Sequence, residues 1–537
     1  MMAPVRRTPV LVVGSGVAGS VLALELAHHN VASIVVERAS RPQRHPDLNL
    51  VPGRSMELLR RLGLTTEIRR HGVDPDHDAD VVWSQGLDQL PVLVSQVTSV
   101  NQLRRRYATS NDGSAPVEPY ALVPGTELAA GLRAAVRAHP LIELREGWTF
   151  TDLRLEQDGA IATVLEAETG IRHVIEANHL AGCDGAQSTV RRCLGVPLQQ
   201  LGAWNHHCTV YFRSSDLARR LGRPSTIITE GITLQRSRDG DLWIGHLPLT
   251  PGESTVTDAA RLLHDRLGIG RLGIGLETPQ VVGMAQWDDS LGVATAYRRG
   301  TAYLVGESAH RFAPPGATVD TCIGDAVDLG WKLAAAINGW GGPTLLSSYE
   351  GERRRRALLD RELLARTLET RRRFCRLAAA GASREFLADV LRQEAPPMET
   401  SGTGLVGGHP GSPVVWQEPA NRRNGNGPGT ARPGTRPPAV RLPDGDQLFD
   451  RLGPQFTLVD LSDDDSGTPL VASARARGIP MAHLTVAGAA VRAAWESRLV
   501  LVRPDQHIAW RTDDPPDDWD LVLDVVTGQR SQNHVNT

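Results

Sequence analysis

Residues 9–13, PVLVV, form an unbroken apolar run, the mark of a parallel strand covered on both faces. A glycine-rich turn, GSGVAGS, follows, and then a helical pattern through His28. SIVVER at 33–38 is a second buried strand, so the N-terminus predicts a βαβ unit with its glycine turn at the first strand end. VPGRSMELLRRLGL at 51–64 is helical with a stop at Gly63, and 126–139 is an amphipathic helix. Residues 75–120 are irregular and polar, reading as strands and loops over a site. From Leu141 the pattern alternates around DG and TG turns, as in a β-meander, and ends in HLAGC running into Asp184–Gly185.

Residues 205–290 read as a mostly β layer. RRGTAYLVGES (298–308) returns to a buried strand, and AVDLGWKLAAAI (326–337) is a strong helix. Long Arg-rich helices come next, with the Arg cluster at 353–356 expected on a solvated face. Residues 393–440 are rich in Pro, Gly, Asn and Arg and predict a mobile linker. Beyond it, QFTLVDL, IPMAHLTV and RLVLVRPDQHIAW alternate with a helix-like segment, a small α/β domain at 441–537.

Composition narrows the class. A chain of 537 residues exceeds one ordinary core, and 41% hydrophobic with 22% charged residues fits a globular protein. A net charge of −3 argues against a nucleic-acid binder, which would carry a basic excess. Cys183, Cys193, Cys208, Cys322 and Cys375 form no CxxC and no metal spacing with His, so reduced thiols, no metal and a cytoplasmic protein are expected. The first apolar run contains a glycine turn and lacks a cleavage site, so it is not a signal peptide; no stretch is long enough to span a bilayer. Oligomeric state is not legible.

Three motifs carry chemistry. Gly14-x-Gly16-x-x-Gly19 joins a strand to a helix, with Glu37 ending the next strand. Gly14 permits the tight turn, Gly16 lets amides approach a pyrophosphate, Gly19 lets helix pack on strand, and Glu37 can accept ribose hydroxyls. LAGCDGAQSTVRRCLG (180–195) and AYLVGESAHRFAPP (302–315) are the second and third. Together they resemble the group A FAD-dependent monooxygenases, the para-hydroxybenzoate hydroxylase-like family. The resemblance covers about residues 1–375; LVRPDQHIAWR (501–511) extends it to the polyketide-tailoring branch with a C-terminal thioredoxin-like domain. That domain has no cysteine and cannot exchange thiols.

The resemblance implies an α/β fold: a Rossmann-like FAD-binding domain, a mixed β-sheet substrate domain, long helices and a C-terminal thioredoxin-like α/β domain. The FAD-binding domain would be discontinuous (1–75, 121–200, 296–392), with 76–120 and 201–295 as the substrate layer. FAD would lie along Gly14, Gly16, Val17, Ala18, Gly19, Glu37 and Arg38, with Arg54 at its phosphates or ribose. Asp184, Gly306 and Glu307 would hold its middle, and Pro314, Gly316, Ala317, Thr318, Val319 and Asp320 its ring. His206, His207, His246 and Trp287 are candidates for lining a pocket for a hydrophobic polyketide-type molecule.

The chain departs from the family pattern at several of these positions. Glu307 replaces the usual Asp. PPGATVDTCIGDA is one residue shorter than the glycine-rich family loop; Gly316 remains, but Ala317, Val319, Asp320 and Cys322 stand near positions where the family has Gly or Asn. Asp47 replaces an Arg, and Gly125 a Gln. Asp320 reads as an N-cap for a helix at 321–337. A carboxylate about 4 Å from the ring would oppose reduced-flavin charge by roughly 4 kcal/mol at an effective dielectric near ~20. Two functions follow. One is an NAD(P)H-dependent monooxygenase acting through a flavin C4a-hydroperoxide, with NAD(P)H as transient donor. The other is a non-redox [4+2] cyclase forming a decalin from a polyene polyketide, with FAD structural.

Overall fold

The computed structural model describes residues 5–42, 47–202, 205–221, 226–238, 240–250, 255–267, 279–312, 318–396, 400–402, 407–418 and 430–530. At its centre runs a mixed sheet in the order Arg298–Arg299, Ala302–Leu304, Arg172–Gly182, Arg6–Val13, Ser33–Glu37, Ile142–Glu146. The last five of these pair in parallel, which places their carboxyl ends along one edge. The hairpin Trp148–Glu156/Gly159–Glu166 joins antiparallel to Arg172–Gly182. Val10, Leu11, Val12 and Val35 are fully buried, as a doubly covered parallel sheet requires.

The helix Val17–His28 covers this sheet and is itself buried along almost its whole length. It crosses the helix Val319–Ile337 at Gly330, where an added Cβ would lie 2.6 Å from Glu25 Cγ. That close crossing ties the glycine-turn helix to the helix after the GES turn.

A second sheet runs Gln280–Asp288, His206–Arg213, Leu242–Pro248, Thr233–Arg236, Thr226–Ile228, Val81–Trp83, Leu93–Ser95. Chain segments from 76–120 and 201–295 thus share one sheet. On one face Cys208, Val210, Phe212, Trp243 and Leu247 form a core with the helix Ala259–Leu267. Strand alternation turns His207, Thr209, Tyr211, His246 and Trp287 to the other face.

The helix Pro343–Ala379 is 37 residues long and links the two sheets. Its Arg cluster departs from the expected solvated face. Arg353 is buried, bonding the Asp325 carboxylate at 2.7 Å and the Thr321 carbonyl, and Arg354 bonds the carbonyl of Ala294. Local pattern shows a charged stripe; only the fold shows which of its members meet buried carboxylates.

The C-terminal sheet runs Met481–Thr485, Phe456–Asp460, Leu499–Val502, Ile508–Thr512. Within 393–440 the described parts are docked, which corrects the expectation of a mobile linker. The amides of Gly53 and Arg54 bond the carbonyls of Thr400 and Ser401, Gly434 N–H bonds Ile508 O, and Val414 and Ala431 are fully buried. Residues 397–399, 403–406 and 419–429 of that stretch lie outside the described residues.

Candidate functional site

The three sequence motifs meet in one cleft of about 350 Å³ at the carboxyl ends of the parallel strands. Its lining includes Gly14, Gly16, Val17, Ala18, Glu37, Arg38, Asp184 and Glu307. Gly14 takes φ +99°, and a Cβ there would lie 2.5 Å from Cys183 O; a Cβ on Gly19 would lie 1.9 Å from Gly14 O. Gly14 is therefore dictated by backbone approach between the first motif and the second, and Gly19 by backbone approach within the first. The amides of Gly16, Val17 and Ala18 have no acceptor among the described residues, as first-turn amides of a helix do not.

Glu37 is held at the edge of this cradle. It accepts Ser15 N–H at 2.8 Å and Ala39 N–H at 2.9 Å, with Arg133 3.6 Å away. Asp184 has an anchoring role. Its carboxylate accepts the Ser188 hydroxyl and the amides of Thr189, at 2.6 Å, and Val190, at 3.0 Å. It thereby fixes the turn after Arg172–Gly182 and the short helix Thr189–Cys193. Gly306, at φ +65°, packs where a Cβ would meet Ala18 Cβ at 2.7 Å, and Glu307 accepts the Thr318 hydroxyl at 3.3 Å.

Sequence reasoning missed the group that holds the GES turn. Asp325 accepts Gly306 N–H at 3.0 Å, faces His310 Nε2 at 3.2 Å, and takes Arg353 on its other oxygen. Burial alone would raise its pKa, yet Arg353 and His310 hold the carboxyl below its ordinary value. The signal was present, since His310 ends GESAH and Asp325 follows the loop.

Arg54 is placed differently from the expectation. Its guanidinium is buried and bonds Glu57 at 3.1 Å, Asp505 O at 2.9 Å, and both carbonyl groups of Gln506 at 3.2 Å. It clamps the C-terminal domain and is not among the residues lining the cleft. Asp320 is likewise corrected as an N-cap. The helix starts at Val319 with Thr318 as cap residue, and Asp320 lies in the first turn, accepting the Ser55 hydroxyl at 2.6 Å. It lines a small cavity with Arg54, Arg353, Arg356, His409 and His507. Pro314, Gly316 and Ala317 lie outside the described residues, while Thr318 and Val319 are buried at the helix start. Asp47 accepts the Tyr211 hydroxyl at 3.2 Å, joining the cleft domain to the second sheet, and Gly125 N–H bonds Asp47 O.

His246 and Trp287 come together on the inner face of the second sheet; His206 stands exposed at a strand start. Trp287 Nε1–H donates to Thr209 Oγ1 at 2.8 Å, and Thr209 meets His246 Nδ1 at 2.8 Å. His207 stacks on Trp287 with centroids 4.4 Å apart. Among metal-ligand types, His409, Asp505 and His507 approach one another, but Arg503 bonds Asp505 at 2.6 Å. No helix among the described residues is long and apolar enough to cross a membrane.

The donor set of the cleft fits FAD: orphaned helix amides and bare glycines suit a pyrophosphate, and a fixed carboxylate at the second strand suits a ribose. Comparison with known proteins agrees. Residues 7–360 match the FAD binding domain family, and 430–529 match "aromatic-ring hydroxylase, C-terminal". The chain belongs to the FAD-binding aromatic-ring hydroxylase family of group A flavin monooxygenases. It is an FAD-dependent monooxygenase. The FAD-dependent monooxygenase apdD of Emericella nidulans is 27% identical, with 98% of this chain and 92% of that protein covered. A putative polyketide hydroxylase of Streptomyces halstedii is 29% identical, covering 95% and 94%. The rebeccamycin biosynthetic enzyme RebC, solved with reduced flavin, superposes with a TM-score of 0.87 at 28% identity, over 98% of this chain and 100% of that one. None of these three is described as a cyclase.

Proposed function

We propose that this monooxygenase hydroxylates a polycyclic, polyketide-type aromatic molecule held against the inner face of the second sheet, with NAD(P)H as the electron donor. The observation that carries the reading is the convergence of the three motifs on one cleft, with Glu37 and the Gly16–Ala18 amides at one end and Glu307 towards the other. The relatives' names, monooxygenase and polyketide hydroxylase, support the substrate class.

With FAD bound, the chemistry supplied is acceptance of two electrons from NAD(P)H and activation of dioxygen. The protein's own contribution is positional. The amides of Gly16, Val17 and Ala18 and the positive end of their helix bind the pyrophosphate. Glu37 orients the ribose, Arg38 lies at the same edge, and Glu307 takes a hydroxyl of the ribityl chain. The Asp325–His310–Arg353 group fixes the turn that carries Glu307. Tyr211, through Asp47, holds the substrate sheet over the cleft.

The test is to mix the purified FAD-loaded protein with NADPH or NADH, with and without an aromatic polyketide, and follow flavin bleaching and product mass. The expected result is substrate-stimulated bleaching and a product one oxygen heavier, labelled from heavy-isotope dioxygen. Flavin that stays oxidised with both donors and every substrate, with product isomeric to substrate, overturns the reading.

A further inference from the structure

The long helix Pro343–Ala379 has two unlike sides. In the turn Glu352–Arg356 the inner side is spent within the fold: Glu352 meets Lys332 and Arg503, and Arg353 meets Asp325. On the outer side every fourth residue from Ser347 to Leu363 is exposed. This side forms one wall of a groove of about 580 Å³, lined by Glu350, Arg354, Arg355 and Leu358 of the helix and by Arg298 and Arg299 of the edge strand of the central sheet.

Four guanidinium groups thus share one groove, and none pairs with a carboxylate among the described residues. Arg298 Nε–H donates to Gly300 O at 2.8 Å, and Arg355 Nη1–H to Pro410 O at 3.0 Å. Arg354 Nε–H donates to Ala294 O at 2.9 Å, and its Nη2–H to the side-chain oxygen of Gln199 at 3.3 Å. These neutral acceptors hold three of the forks in place and leave their charge unanswered. Arg299 is exposed and makes no hydrogen bond or ion pair among the described residues. Glu350, the carboxylate of the groove, is turned to backbone: it accepts the amides of Tyr297 at 2.8 Å and Arg298 at 3.2 Å. Its charge counts one against four. Elsewhere exposed arginines find carboxylates, as Arg7 does Glu176, Arg376 Glu369 and Arg392 Asp389. The chain has 61 acidic residues for 58 basic ones, so the excess is a property of this groove.

An apolar ridge continues the same helix face. Leu359 follows Arg355 by one turn and Leu363 follows by two, and they are 55% and 38% exposed. Apolar side chains beside arginines are the composition of a protein interface. The charge decides what covers it. A second copy brought up by a two-fold axis would set four guanidinium groups against four. A nucleic acid would meet a chain of net charge −3 and a groove lining without an aromatic ring to stack on its bases.

We propose that the groove and the Leu359–Leu363 ridge dock an acidic protein, through a helix that carries carboxylates beside an apolar stripe. Arginine forks match carboxylates, and forks already held in place lose less freedom on docking. The leucines supply the apolar centre, and the arginines the rim that steers encounter and selects the partner. None of the groove residues lines the FAD cleft, so partner and cofactor do not compete. The docking point is nonetheless the outer side of the helical turn whose inner side, through Arg353 and Asp325, holds the GES turn.

The probe is a rhodamine-labelled helical peptide with a leucine stripe flanked by Glu, and its control carries Gln for every Glu. Each is titrated with FAD-loaded enzyme at low and high salt while anisotropy is followed. The wild type is expected to bind the Glu peptide about tenfold tighter than the Gln peptide and to lose most of that margin at high salt. Arg299→Gln combined with Arg355→Gln cuts the margin about fivefold, with FAD content and melting temperature unchanged because both side chains are exposed. Leu359→Ser weakens both peptides and leaves their ratio. Arg105→Gln combined with Arg106→Gln, the same loss of charge on the exposed side of the helix Val100–Thr109, leaves affinity and ratio as in the wild type. An equal effect of that second pair means diffuse attraction and overturns the proposal. So does a wild type that shows no preference at low salt, and so does one that binds phosphatidylglycerol vesicles through Arg299 and Arg355 in preference to the peptide.

Discussion

At the scale of single residues, the cleft is most sensitive where a methyl group has nowhere to go. In Gly19→Ala the new Cβ would lie 1.9 Å from Gly14 O, a backbone atom that cannot step aside. The expected outcome is protein purified without FAD and with a clearly lower melting temperature. Gly63→Ala is the contrast: φ is +72° but nothing lies within 4 Å, so the cost is about 1 kcal/mol of backbone strain and FAD is retained. Cofactor content and thermal unfolding of the two variants decide the point. Asp325→Asn keeps the shape but removes the charge opposite buried Arg353, which should cost about 3 kcal/mol and loosen the GES turn. Denaturant unfolding and FAD dissociation measure the two effects. Glycines and acidic strand ends such as Gly14 and Glu37 were legible because their roles are local. Arg54 was not, because Asp505 and Gln506, which receive its guanidinium, stand more than 450 positions away.

At the scale of elements, buried ionic joints fix how helices sit on the sheet. Glu25, fully buried on Val17–His28, bonds Arg61 at 2.8 Å and so ties that helix to Gly53–Arg61. Burial alone would raise its pKa; Arg61 and His29 bring it down to about 2. A folded pKa below the unfolded one means the stabilisation is complete above about pH 4.5 and disappears as pH falls towards about 2. The difference corresponds to roughly 3 kcal/mol between those limits. His28 acts in the same direction: burial lowers its pKa to about 4, so the unfolded chain takes up its proton first as pH falls below about 6.5. Urea unfolding from pH 7 to 3 should show stability falling in both windows. In Glu25→Gln the lower step should be absent, while the variant is less stable at pH 7 because Arg61 stays buried without a partner. Apolar runs such as PVLVV and SIVVER located these elements to within a few residues. Their joints depend on which face of each helix meets which neighbour, and that is set by the crossing at Gly330, a contact between distant parts of the chain.

At the scale of the whole molecule, the C-terminal domain shares a core with the FAD-cleft domain. Trp331, Ala335, Trp340 and Leu345 belong to the same buried cluster as Phe456, Leu458, Leu501 and Val522. Arg503 crosses the boundary fully buried, bonding Glu352 at 2.9 Å and Asp328 at 3.0 Å, and Arg436 pairs with Glu57. Gly342 and Gly528 approach so closely that a Cβ on Gly342 would lie 2.3 Å from Gly528 O. Asp328 sits in the helix Val319–Ile337, whose first turn follows the GES motif, so docking of this domain steadies the helix that borders the cleft. The absence of cysteine in 441–537 thus fits a strut more than a redox module. Arg503→Met leaves Asp328 and Glu352 buried with Lys332 as the charged partner they share, Glu352 keeping also the Ser412 hydroxyl at 2.5 Å and His409 at 3.7 Å. It should cost about 3–5 kcal/mol, the usual price of breaking one side of a buried ionic group. If docking holds the cleft, FAD should dissociate faster in this variant although Arg503 does not line the cleft. Deleting 430–530 should be harsher, exposing Trp331 and Trp340 and yielding aggregated, FAD-free protein. Flavin fluorescence on dilution and analytical gel filtration provide the readouts. A truncated chain that stays monodisperse and keeps FAD would show that the two domains are independent after all.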